Sequence, residues 1–279
     1  MLDPVYALIP AVIWSFSPIY YRVFMKRFDF LTLNLLRTTL ASAVLVLPAI
    51  YFGLGAGLVY ALASGVITLT VGDSLFLLGI REMGASVAAP VVYTYVLLIQ
   101  LTAPAVGEVV PLTNFAAALM VLVGVYVLSR GGGGLPRAKG IAFALGASVA
   151  WTVGQDLIRV ATDIGGNVVT VAFARNFAAA LGLGLAVLAT RRSRRWPAGV
   201  TAMEFGFLAF IAVTDLVLGS LLYVYSVSLI GIALTAILTS LSPLLTQVFS
   251  KALGKESPSR KDFAGGALIV AALILAVAL

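Results

Sequence analysis

The chain has 279 residues, of which 61% are hydrophobic and only 10% charged, and its formal net charge is +7. A soluble domain is about 45–50% apolar and about 25% charged, so this composition excludes a soluble globular protein. The chain has no histidine and no cysteine, which removes imidazole and thiolate metal ligands, disulfides and histidine-activated nucleophiles. We therefore expect no cofactor, no metal site and no enzymatic activity.

Ten continuous apolar stretches follow one another along the chain. They cover residues 5–21, 30–52, 57–80, 84–103, 112–129, 140–161, 168–190, 203–228, 231–250 and 262–279. Each stretch is long enough to cross the roughly 30 Å hydrocarbon core of a bilayer as a helix. The sequence therefore predicts an all-α membrane protein with ten transmembrane helices. The first stretch is expected to be a true span rather than a removable signal peptide, because no basic segment precedes it.

The two halves of the chain resemble each other. Residues of one type recur in constant order at a slowly drifting offset: Trp14 and Trp151, Arg37 and Arg175, Gly72 and Gly219, Gly84 and Gly231, Gln100 and Gln247. This pattern predicts a first five-helix repeat at 1–130, a Gly-rich linker at 131–139 and a second repeat at 140–279. Because five is an odd number, the second repeat must insert upside down relative to the first.

The distribution of Lys and Arg tests this arrangement. With ten spans, the odd-numbered links share one side of the membrane, and they hold fifteen of the 18 basic residues. The opposite side holds only Arg159, while Arg37 and Arg175 lie inside spans. The positive-inside rule then places the odd-numbered links in the cytoplasm and both termini outside. The net positive charge is therefore an orientation signal, and we expect no nucleic-acid partner.

Several of these residues carry a family resemblance that extends over the whole chain. The segment from Tyr223 to Leu253 has a short helix, a break and a second helix containing Leu241-Ser-Pro-Leu-Leu-Thr-Gln, and Gly254-Lys-Glu256 follows it. The first half repeats this order from Gly84 to Gly107-Glu108. With Trp14 and Trp151 in the first helix of each half, the chain resembles the EamA-type branch of the drug/metabolite transporter superfamily.

The resemblance implies a ten-helix carrier with a central cavity. Helices 1, 3, 4, 6, 8 and 9 would line that cavity, while helices 2, 5, 7 and 10 would be more peripheral. Members of the superfamily export amino acids and other metabolites, or exchange phosphorylated sugars or nucleotide sugars. In transporters built from inverted repeats, the site lies near the bilayer midplane and the halves rock around it.

The ninth helix carries hydroxyl residues on one face. Thr235, Thr239, Ser242 and Thr246 follow one another at spacings of 4, 3 and 4, which is the period of a helix. Pro243 frees a backbone carbonyl one turn earlier, and hydroxyls beside a free carbonyl suit a polar ligand. The alternative is packing, because small hydroxyl residues also let helices approach closely and hydrogen-bond.

Other helices show aromatic and polar residues at helical spacing. The candidates for a substrate site are Trp14, Ser17 and Tyr21 in helix 1, Tyr93 and Gln100 in helix 4, and Trp151 and Gln155 in helix 6. Trp14 and Trp151 lie too far from the helix ends for the headgroup role that Trp often plays. They are predicted either to line the cavity or to pack between the two halves.

Charged residues inside the spans are the strongest individual signals, because a charge at the bilayer centre costs about 2.5–3.5 kcal/mol on insertion scales. Arg37 and Asp73 lie at equal depth from the ends of their helices and are predicted to pair, and Asp73 is also a candidate for the substrate site. Arg175 and Asp156 are predicted to form a second pair. The alternative role for each pair is purely structural, in fixing the orientation of the helices.

Asp215 lies at the midpoint of helix 8 and has no obvious basic partner at its depth. An unpaired central carboxyl is a candidate for proton coupling or for binding a substrate amine. The alternative is a protonated Asp215 that only hydrogen-bonds to a neighbouring hydroxyl or carbonyl.

These observations favour a secondary transporter, with export of small metabolites such as amino acids by alternating access as the first hypothesis. A flippase for a lipid-linked sugar or another amphipathic lipid is a second hypothesis, and a passive channel or scaffold is a third. No G-x-x-x-x-G-K-[ST] motif for ATP is present. The expected partners are a small-molecule substrate, the lipid bilayer and, as a coupling ion, protons, with the chain acting as a monomer or homodimer.

Overall fold

A computed structural model describes residues 3–129, 138–190, 199–253 and 260–278. Within these ranges every regular element is a helix, as the predicted all-α class requires. In chain order the helical segments are Val5–Phe24 (α1), Phe30–Phe52 (α2), Leu58–Met83 (α3), Ala85–Val92 with Tyr95–Val106 (α4), Leu112–Ser129 (α5), Ala138–Asp163 (α6), Val168–Thr190 (α7), 202–230 (α8), 232–239 with Leu241–Ala252 (α9) and Arg260–Ala278 (α10).

Local sequence determines where several helices begin. At the start of α2 the backbone N–H of Leu31 donates to the Asp29 carboxylate at 3.1 Å. At the start of α8, Thr201 and Glu204 form a reciprocal capping box, in which each side chain accepts from the other residue's backbone N–H. Such caps satisfy N–H groups that have no partner inside the helix. The predicted apolar stretches accordingly agree with the helices to within a few residues.

Six helices in the described part of the chain are long and apolar enough to cross a membrane. They are Val5–Phe24, Phe30–Phe52, Leu58–Met83, Ala138–Asp163, Val168–Thr190 and Ala202–Ala252. The last run has 51 residues, which at 1.5 Å per residue is about 75 Å and more than twice the thickness of a bilayer core. Of the predicted linker at 131–139, residues 131–137 lie outside the described residues, while Ala138 and Lys139 begin α6.

The long run is divided at Gly231, between α8 and α9. This residue has φ 79° and ψ 169°, a backbone conformation restricted essentially to glycine. The backbone N–H groups of Ile232 and Ala233 donate to the Glu108 carboxylate at 2.5 and 3.0 Å, and Arg159 pairs with the same carboxylate at 3.0 Å. A side chain from the link before α5 therefore caps the N-terminus of α9, where the helix dipole favours negative charge.

The helices α3 and α8 each contain a π-helical segment. These segments are Gly65–Gly72 in α3 and Thr214–Gly219 in α8. Buried asparagines of the neighbouring helices bind their backbone. Asn34 of α2 donates to the Leu69 carbonyl at 2.7 Å, and Asn176 of α7 donates to the Leu216 carbonyl at 3.2 Å. Segments of this kind are frequent at functional sites, and here they adjoin the central cavity.

The helices pack in pairs around that cavity. α2 lies along α7, α5 lies along α10, and the other six helices pack between these pairs. Many of the fully buried core residues are alanines, which lets neighbouring backbones approach closely, as is common in membrane helices. Residues from both halves of the sequence line the central cavity.

Candidate functional site

The central cavity encloses about 780 Å³ of space, counting the part that is open to the surroundings. Nine of the residues predicted as substrate-binding line it: Trp14, Ser17, Tyr21, Asp73, Tyr93, Trp151, Gln155, Asp215 and Ser242. Arg37 of α2 and Arg175 of α7 also reach it, so these two helices are less peripheral than the family resemblance implied.

A cluster of three charged residues forms one wall. Arg37 Nη2 donates to Asp73 Oδ2 at 3.2 Å and to Asp215 Oδ2 at 2.9 Å. All three side chains are buried. The Tyr21 hydroxyl donates to the same Asp215 oxygen at 2.6 Å, and its ring lies 4.1 Å from the guanidinium carbon. One arginine thus holds a carboxylate from each half of the chain, and the cluster carries one negative charge in excess when all three residues are ionised.

The expectation that Asp215 has no basic partner was therefore wrong. The depth of a residue along its helix can be counted from the sequence, but the identity of the neighbouring helix cannot. α2 packs beside α8 as well as beside α3, so the guanidinium of Arg37 reaches both carboxylates.

The predicted pair between Arg175 and Asp156 is not formed. Arg175 Nε donates to Ser64 Oγ at 3.0 Å and Nη1 donates to Ser220 Oγ at 3.3 Å. Asp156 is only half-buried and does not line the cavity. Gln155 does line it, and the next residue of a helix points about 100° away, so Asp156 is directed away from Arg175.

The two tryptophans line the cavity and also pack between the halves, so both predicted roles are present together. Trp14 Nε1 donates to the Asp215 backbone carbonyl at 3.3 Å, and Trp151 Nε1 donates to Asp73 Oδ1 at 3.1 Å. Each indole lies against a glycine of the opposite half. A Cβ at Gly219 would lie 2.7 Å from Trp14 Nε1, and one at Gly72 would lie 2.6 Å from Trp151 Cδ1.

Three predicted site residues lie behind the cavity wall. Gln100 donates to the carbonyls of Val96 and Ala233, both at 3.1 Å, and so ties α4 to α9. Thr239 hydrogen-bonds to the Tyr95 hydroxyl at 3.1 Å, and Thr246 donates to the Ser242 carbonyl at 2.9 Å. All four hydroxyl residues of the predicted stripe are buried, but only Ser242 of them lines the cavity.

The cavity also contains residues that sequence reasoning missed, among them Thr68, Tyr95 and Ser220. For Ser220 a signal was available. In the offset that relates Gly72 to Gly219, Ser220 takes the place of Asp73, which was itself predicted as a site residue.

Comparison with known proteins identifies relatives of this chain. The model of the EamA-like transporter family matches residues 4–130 and again residues 138–278. A protein of Archaeoglobus fulgidus described as an uncharacterized transporter is 26% identical over 170 residues, which is 58% of this chain and 60% of that relative. The match thus spans less than two thirds of the relative's length.

A solved crystal structure of a protein superposes on the chain with a TM-score of 0.78. The alignment covers 99% of this chain and 96% of that one, at 22% identity. This likeness shows that the two chains share a fold.

Proposed function

Because the chain belongs to the EamA-like transporter family, we propose that it is a secondary transporter that exports small metabolites such as amino acids by alternating access. The family consists of transporters rather than enzymes, and the apolar helices make the chain a multi-pass membrane protein. The observation that carries the proposal is the cavity itself. It is walled by Arg37, Asp73, Asp215 and Arg175 together with aromatic side chains, so it offers both charges of a zwitterion and an apolar surface.

The proposed architecture is ten spans in two inverted five-helix repeats. Two matches to one family model, at 4–130 and 138–278, support it. Paired local geometry supports it as well. Gly84 before α4 has φ 86° and ψ 161°, and Gly231 before α9 has φ 79° and ψ 169°.

The proposed orientation puts the odd-numbered links in the cytoplasm and both termini outside. Contacts between links support a common side for each set. Arg27, in the first link, donates to the Gly199 carbonyl in the seventh at 2.9 Å. Thr170, at the start of α7 beside the sixth link, donates to the Gly53 carbonyl in the second at 2.6 Å.

Introduced single cysteines test this orientation without background labelling, because the native chain has no cysteine. We expect a membrane-impermeant maleimide to label Gly55→Cys in intact cells, and Lys26→Cys only in inside-out vesicles. The unsubstituted chain is the control and should stay unlabelled. The reverse pattern would invert the orientation, and labelling of both positions from one side would contradict a membrane crossing by α2.

Alternating access requires contacts at the cavity that can be exchanged between the halves. Arg37 is such a contact, because it binds Asp73 of its own half and Asp215 of the other half through the same nitrogen. Rocking of the halves around a midplane site would break or remake the bond to Asp215. A proton or a substrate amine can then replace Arg37 at that carboxylate, which makes Asp215 the proposed coupling residue.

Transport by the purified protein in liposomes is the direct test. A panel of labelled amino acids and a few sugar phosphates, with and without a pH gradient, is expected to reveal saturable flux and counter-transport of at least one amino acid. Trp151→Ala is expected to lower that flux at least roughly tenfold, because it removes a cavity wall and the N–H bond to Asp73. Leu185→Ala is the matched control, since Leu185 is 68% exposed on the outer surface of α7.

Flux without saturation or counter-transport would contradict a carrier and favour a channel. If no soluble compound moved although the protein was shown to be folded, the proposal would be wrong. A lipid-scrambling assay would then test the flippase hypothesis.

A further inference from the structure

Arg37 and Arg175 occupy matching places in the two halves but have different partners. Each lies in the second helix of its half, each is at least 95% buried, and each reaches the cavity. The Arg37 guanidinium forms ion pairs with two carboxylates. Arg175 has only the hydroxyls of Ser64 and Ser220, and among the described residues no carboxylate pairs with it.

Ser220 is the residue of the second half that corresponds in position to Asp73 of the first half. Asp73 follows directly on the π segment of α3, after Gly72, and Ser220 follows directly on the π segment of α8, after Gly219. The first half thus supplies a carboxylate for its arginine at the position where the second half supplies a hydroxyl. A charge in the interior of a membrane protein normally has a charged or strongly polar partner, and among the described residues Arg175 has two hydroxyls in place of a carboxylate.

The guanidinium is held in place before any ligand arrives. The Ser64 hydroxyl accepts from Arg175 Nε at 3.0 Å while it donates to the Gly154 carbonyl at 2.7 Å, so the serine is fixed from both sides. A guanidinium presents its donors in a rigid fork that matches a carboxylate. Little side-chain entropy would then be lost when a ligand binds.

We infer that Arg175 binds the carboxylate of the transported molecule, with the surplus negative charge of Asp73 and Asp215 taking its ammonium group. This inference rests on the proposed function, which it deepens by assigning a role to each wall of the cavity. The charges favour a carboxylate over a phosphate. The excess of the Arg37 cluster is a single negative charge and Arg175 is a single positive one, so a zwitterion leaves the cavity neutral, whereas a phosphate carries about −1.5 to −2.

The test compares acids with their amides on the full-length protein in liposomes. L-leucine, L-phenylalanine and L-threonine are the labelled probes, and the amide of each is the unlabelled competitor. The amides keep the ammonium and the side chain but lack the carboxylate. In the native chain we expect each amide to compete roughly tenfold to a hundredfold more weakly than its acid, the range that charge-assisted hydrogen bonds imply.

Two substitutions locate the effect at Arg175. Ser220→Asp would give Arg175 an internal carboxylate, and we expect the apparent affinity for the acids to fall at least tenfold. Ser220→Asn is the matched comparison, of nearly the same size as the Asp variant but neutral, and Ser220→Asp should bind the acids at least tenfold more weakly than Ser220→Asn does. Arg175→Gln should remove the preference for acid over amide. If that variant does not fold, the Ser220 pair and the native comparison still decide.

Amides that compete as well as acids, or an unchanged apparent affinity in Ser220→Asp, would overturn the inference and leave a transporter in place. Absence of flux for all three probes and for the wider panel would overturn the proposed function, and the inference with it.

Discussion

Arg37→Gln is expected to leave little folded protein in the membrane. The substitution removes a cation that contacts both Asp73 and Asp215, and these carboxylates are buried. Removing one partner of a buried ion pair typically costs about 3–5 kcal/mol, a large part of the roughly 5–15 kcal/mol that keeps an ordinary domain folded. The variant also loses the contact of the guanidinium with the Tyr21 ring at 4.1 Å.

The measurement is the yield of monodisperse protein and the temperature at which half of it is lost on heating. Asp73→Asn and Asp215→Asn are the controls, because each leaves Arg37 with one carboxylate and should cost less. The triple variant that combines all three substitutions removes every charge of the cluster and should recover part of the loss. An Arg37→Gln protein as stable as the native chain would contradict a role for the cluster in holding the two halves together.

Gly231→Ala is expected to destabilise the protein more than Gly53→Ala, although the two glycines have almost the same backbone conformation. Gly231 has φ 79° and ψ 169°, and Gly53 has φ 80° and ψ 158°. A side chain in this region costs on the order of 1–3 kcal/mol in either case. A Cβ at Gly231 would in addition lie 2.7–2.9 Å from the carboxylate of Glu108, whereas nothing lies within 4 Å of one at Gly53.

The difference between the two variants therefore isolates the contact with Glu108. Displacing this carboxylate frees two backbone N–H groups at the start of α9, and charge-assisted bonds are worth about 1.5–3 kcal/mol. We expect the midpoint of heat-induced loss to fall further for Gly231→Ala by at least several degrees. Equal midpoints would mean that the Glu108 cap adds nothing to stability.

The sequence predicts the helices and the composition of the site better than it predicts the contacts within the site. Apolar length and charge determine where a chain can cross a bilayer, and these are local properties. The repeated order of residues along the sequence singled out Trp14, Trp151, Arg37 and Arg175, and all four reach the cavity.

The partners of charged residues depend on which helices are neighbours, and a single sequence does not contain that information. Asp215 was judged unpaired because depth was compared along the sequence, while Arg37 reaches it from an adjacent helix. Asp156 and Arg175 agree in depth but differ in the direction of their side chains. Tyr95 was missed because an aromatic residue in an apolar helix gives no signal that separates a cavity wall from a lipid-facing surface.

The hydroxyl stripe of α9 is buried throughout, as its helical spacing predicts. Periodicity predicts which residues share a buried face, but it does not separate a cavity wall from a contact between helices, and only Ser242 of the stripe lines the cavity. Thr239 and Thr246 satisfy their hydroxyls within the protein, as Thr residues in helices commonly do by bonding to a carbonyl one turn earlier.

The π segments of α3 and α8 affect how relatives of this chain should be aligned. A π turn is equivalent to one residue added to an α-helix, and each added residue rotates all later side chains by about 100°. A relative whose third helix is α-helical throughout will place a different residue opposite Arg37 even if the two sequences match number for number. Aligning such relatives correctly requires a one-residue gap inside the helix, where most comparisons penalise gaps, and only with that gap does Asp73 fall beside its functional counterpart.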